Sequence, residues 1–154
     1  MKQLNKIETF LFIFGGLMMV AGVGLYVFGV AVKAVSIAFL VGAVLFAVMQ
    51  IKQTYQGQST TIKRLKSIMT VADVAFVVAG LLMFENAWHL LYQTVVWRNP
   101  DVFDFQAHTN YMEYINNKWV VALIIAAMLE MYSINRISYE LKKEESKTEK
   151  NIKD

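Results

Sequence analysis

The sequence predicts an all-α, polytopic integral membrane protein built as a bundle of four transmembrane helices. Three observations carry that expectation. First, 56% of the residues are hydrophobic and 18% charged, whereas about a quarter of a soluble domain is charged. Second, the apolar residues fall into four long blocks, and nearly all the charge lies between them. Third, 12 of the 15 lysines and arginines fall on one side of the membrane that those blocks imply.

The first block, residues 10–32, has no charge at all. It exceeds the roughly 20 residues needed to cross about 30 Å of hydrocarbon at 1.5 Å per residue. It is also too long for the apolar part of a cleaved leader, which runs about 7–15 residues. Lys33 is the only charge before Lys52, so the second span is expected at 34–51, after a tight turn near Gly29–Lys33. The third, 67–84, lies between Lys66 and Glu85 and contains Asp73. The fourth, 119–137, follows Lys118, contains Glu130 and ends at Arg136. Residues 1–139 thus form one transmembrane domain, with an outer loop at 85–118 and a charged cytoplasmic tail at 140–154.

Orientation follows from the basic residues, which favour the cytoplasmic side. The N-terminus, the second connection and the tail carry Lys2, Lys6, Lys52, Lys63, Arg64, Lys66, Arg136, Lys142, Lys143, Lys147, Lys150 and Lys153. Only Lys33, Arg98 and Lys118 lie opposite. Both termini are therefore expected inside, in a cytoplasmic membrane of the bacterial inner-membrane type. Tyr26, Phe28, Trp88, Tyr92, Trp97 and Trp119 suit the outer headgroup zone, and Tyr55 and Tyr132 the inner one.

Helices in lipid associate through close backbone approach, so small residues mark packing faces. The expected faces are Gly15, Gly22 and Gly29 in the first span, and Ala34, Ala38 and Gly42 in the second. In the third they are Ala72, Ala75 and Ala79, and in the fourth Ala122 and Ala126. The same stripes would serve a homo-oligomer or another membrane protein, which, with the lipid bilayer, are the expected partners. No nucleic-acid partner is expected, because the charge reads as a topology signal.

Asp73 and Glu130 are the leading functional candidates. An ionisable group central in a span costs about 2.5–3.5 kcal/mol on insertion scales, so it is usually buried and often functional. Both lie roughly 10 Å from the inner boundary, on adjacent antiparallel helices. If their faces meet, the pair would share a proton or bind a cation. The structural alternative is that each bonds a neighbour such as Thr70, Tyr132, Ser133 or Asn135, or that Glu130 reaches Arg136. A weaker candidate is a metal site in the outer loop, from Glu85 and His89 at i, i+4 with His108 and Glu113.

No cysteine is present, which excludes a disulfide framework, thiolate metal sites and a cysteine nucleophile. Phosphate-binding glycine loops, H-E-x-x-H and G-x-S-x-G are absent, and no cofactor is expected. Nine methionines read as helix-packing filler rather than a copper path. Three functions remain open. A non-catalytic membrane assembly module ranks first, a small oligomeric proton- or cation-coupled carrier or channel using Asp73 and Glu130 second, and a lipid enzyme at the outer loop third.

Overall fold

A computed structural model describes residues 5–53, 55, 59–97 and 103–153. Among these there are six helices and no strand: α1 (Lys6–Val27), α2 (Val32–Lys52), α3 (Thr60–Trp88), α4 (Leu90–Val96), α5 (Phe105–Tyr114) and α6 (Trp119–Lys153). Four of the helical stretches, those of α1, α2, α3 and α6, are long and apolar enough to cross a membrane.

Local chemistry sets the ends. The Asn5 amide donates to the Glu8 carboxylate at 3.0 Å and closes the start of α1. The expected first span runs too far, because α1 stops at Val27 and the chain turns over Phe28–Ala31. Gly29 (φ +72°) and Ala31 (φ +45°) take left-handed backbone there. Gly29 is therefore a turn residue and not part of a packing face, since that conformation suits a residue without a Cβ. Ser59 accepts from the Ile62 amide at 3.4 Å, so α3 begins seven residues before the expected span. It ends at His89, whose left-handed backbone (φ +54°) also opens α4. Lys2 and Arg98 lie outside the described residues.

The spans pack in a row: α1 on α2, α2 on α3 and α3 on α6. α1 and α6 do not pack along their lengths. They meet at one end, where Tyr26 and Trp119 form an edge-to-face pair with centroids 5.1 Å apart. A bundle closed on all four sides is thus not what forms. Trp119, expected at the interface, is buried in the core with Met19, Phe39, Phe76 and Met83.

The tightest seam is α1 against α2. A Cβ at Gly42 would lie 2.9 Å from the Gly15 carbonyl oxygen, and one at Gly22 would lie 3.0 Å from the Phe39 Cβ. Only glycine permits this approach. Ala79 and Ala126 are fully buried as expected, and Ala75 and Ala122 pack partly buried against the same core. On α2 the buried face runs instead through Val35, Phe39, Ala43 and Ala47, which leaves Ala38 half-buried and Ala34 exposed. The charged tail is helical, because α6 continues to Lys153. Glu and Lys are good helix formers, and Arg136 pairs with Glu140 one turn on at 3.3 Å.

Candidate functional site

Asp73 on α3 and Glu130 on α6 are both buried, with 1% and 7% of their surface exposed. The antiparallel packing of α3 and α6 brings them to one level, close enough to feel each other's charge. Lys66, two turns before Asp73, is half-buried and acts electrostatically on both. One lysine therefore lies within electrostatic range of both acids.

The polar partner of Glu130 is Gln50, near the end of α2, whose side-chain amide donates to Glu130 Oε1. Lys66 Nζ donates to the Gln50 backbone carbonyl at 3.3 Å and ties α3 to α2. None of the expected structural partners serves Glu130: Thr70 donates to the Lys66 carbonyl and Arg136 pairs with Glu140. Ser133 is fully buried, and its hydroxyl has no hydrogen-bond partner among the described residues. The same holds for both carboxylate oxygens of Asp73 and for Glu130 Oε2. Buried polar atoms are almost always bonded, and each exception calls for an explanation.

Two spaces flank this cluster. A polar pocket of about 320 Å³ is lined by Gln50, Gln53, Tyr55, Lys63, Lys66 and Asp73, at the basic ends of α2 and α3. An apolar groove of about 380 Å³ lies between α1 and α6, floored by Phe39, Phe46 and Phe76, with Glu130 at one end. Gln50 and the groove were not legible in the sequence. A glutamine at a span end reads as a boundary residue, and a groove depends on which helices fail to meet.

The outer-loop residues form a different arrangement. Glu85 is buried and accepts from the backbone amides of Leu91 (2.9 Å) and Tyr92 (3.2 Å) and from the Tyr111 hydroxyl (3.1 Å). It fastens α4 and α5 to the end of α3. Burial, and then the bond to Glu85, push the Tyr111 hydroxyl above the usual phenol range. His108 Nδ1 lies 3.1 Å from the Tyr92 hydroxyl, while His89 and Glu113 are exposed. Among the described residues no three His, Asp or Glu side chains gather to hold a metal ion. The i, i+4 spacing of Glu85 and His89 is interrupted because α3 ends at His89.

Four helices with this length and composition fit a membrane protein. Comparison with protein-family models, with curated proteins and with solved structures finds no match to this chain.

Proposed function

We propose that this chain is a four-span integral membrane protein with both termini cytoplasmic, and that it is a small carrier whose Asp73–Glu130 site takes up a single positive charge. The observation that carries this reading is Asp73, with 1% exposure and two carboxylate oxygens that lack a hydrogen-bond partner. A carboxylate kept for structure alone would be bonded, as Glu85 is. Charge arithmetic gives the stoichiometry. Two carboxylates and the Lys66 ammonium leave one negative charge, and low-dielectric surroundings penalise net charge. One proton or one monovalent cation brings the cluster to neutrality. The polar pocket beside Asp73 supplies access from the side where the basic residues cluster.

Gly15, Gly22, Gly42, Ala79 and Ala126, small residues on which an assembly module would draw, pack within the chain. Membrane insertion is supported by the broad apolar surface outside the helices. Phe10, Leu17, Val20, Val71, Val74, Ile124 and Met128 are all exposed, far beyond the apolar patches of water-soluble monomers.

The test is thermal unfolding of the detergent-purified protein from pH 5 to 9, with and without lithium, sodium or potassium, beside Asp73→Asn and Glu130→Gln. The expected result is a wild-type midpoint that moves with pH or with one cation, and loses that dependence in both variants. Flat wild-type curves, or a uniform drop in both variants, would overturn the site. The absence of native cysteine makes orientation directly testable. A cysteine at Ser146 should react with an impermeant maleimide only from the cytoplasmic side, and one at Glu113 only from the outside.

A further inference from the structure

The groove between α1 and α6 has a chemistry that the charge-binding reading alone leaves unused. Its walls come from all four spans, and its mouth opens where α1 and α6 fail to pack. Its floor is aromatic: Phe46 and Phe76 stand edge-to-face at 6.3 Å, with Phe39 fully buried beside them. Small residues line the rims. A Cβ at Gly16 would rest in ordinary contact with the Phe46 ring, at 3.6 Å, and Ala127 lines the groove from α6. Among the residues that line it Glu130 alone is ionisable, and its Oε2 is buried with no hydrogen-bond partner among the described residues.

We infer that this groove binds a lipophilic monovalent cation, an aromatic or alkyl ammonium or phosphonium, which enters from the bilayer between α1 and α6 with its charge directed to Glu130. This rests on the Asp73–Glu130 reading above and names the substrate class of that site. Three features select the occupant. Aromatic rings attract cations to their faces, and more strongly where water is excluded. The cluster at the end of the groove lacks one positive charge. The other walls offer no polar partner for a neutral, hydrogen-bonding head group. Around Glu130, α2 contributes Gln50, α3 contributes Lys66 and Asp73, and the groove-facing residues of α1 carry no charge. A cation arriving from the apolar side and a proton or metal cation arriving through the polar pocket would compete for the same net charge, which is the coupling an exchanger requires.

The experiment is equilibrium binding of tetraphenylphosphonium to the detergent-purified full chain, in weakly buffered solution with a pH electrode. Wild type is expected to bind one cation per chain, with affinity rising as pH rises and protons released on binding. Glu130→Gln should abolish saturable binding. Ala127→Leu and Gly16→Leu fill the groove from opposite rims and should each weaken binding at least tenfold, while the pH or alkali-cation dependence of thermal stability persists. Binding equal in wild type and Glu130→Gln, or unaffected by both groove-filling variants, would show partition into the micelle and overturn the inference. Absence of binding beside an intact pH or cation dependence would remove the lipophilic substrate and leave the Asp73–Glu130 site standing. Loss of that dependence in wild type would remove the site itself. Should one groove variant fail to fold, the other carries the comparison.

Discussion

Glu85 and Asp73 are buried carboxylates on the same helix, twelve residues and about 18 Å apart. Glu85 is met by two backbone amides and a tyrosine hydroxyl. Asp73 has no hydrogen-bond partner among the described residues. The C-terminal end of α3 uses its carboxylate as a fastener, because the chain breaks at His89 and turns the amides of α4 back toward it. The middle of α3 offers no such donors. Its neighbours there are continuous helices whose amides are already bonded within their own backbones. The difference teaches that burial alone does not tell a fastened acid from an unpartnered one. What separates them is whether the fold supplies donors.

The comparison can be tested by neutralising each acid. Glu85→Gln turns a side-chain amide toward three donors and should cost about 2–3 kcal/mol of stability in thermal or denaturant unfolding. Asp73→Asn should cost nothing and raise stability near neutral pH by about 1 kcal/mol, as replacing unsatisfied buried charge commonly does. Equal losses in the two variants would erase the distinction. Gly42→Val separates packing from charge. Its Cβ would press on the Gly15 carbonyl, with an expected loss of about 2 kcal/mol and no change in the pH profile. The smallest effect is Tyr111→Phe, which removes one bond to Glu85 and about 1 kcal/mol at neutral pH. Its pH signature sharpens the test. The Tyr111 hydroxyl titrates higher in the folded chain than in the unfolded one. Its stabilisation is then fully present below about pH 10 and is lost as pH rises beyond that. The stability difference between wild type and Tyr111→Phe should therefore narrow in alkali.

Much of the fold was legible along the chain. Uncharged runs marked α1 and α2, although α1 lies four to five residues nearer the N-terminus than its run, and Trp119 begins α6 where the fourth span was expected. The start of α3 was less so, because Lys63, Arg64 and Lys66 broke the apolar run although the helix passes through them. Asp73 and Glu130 were legible as candidates, since a charge within an apolar block is conspicuous. Gln50 was not, because an uncharged polar residue at a span end gives no such signal.

By itself the sequence determined that four long apolar helices form, roughly where each lies, and that two of them carry a carboxylate within the apolar run. Those properties depend on local composition and on a fixed rise per residue. Only the tertiary structure decided that Gln50 and Lys66 meet the carboxylates, that Asp73 goes without a donor, and that α1 and α6 leave an aromatic groove. Those outcomes depend on the rotation of each helix about its axis. Glycine contacts such as Gly15 on Gly42 set that rotation, and spacing along one chain does not encode it.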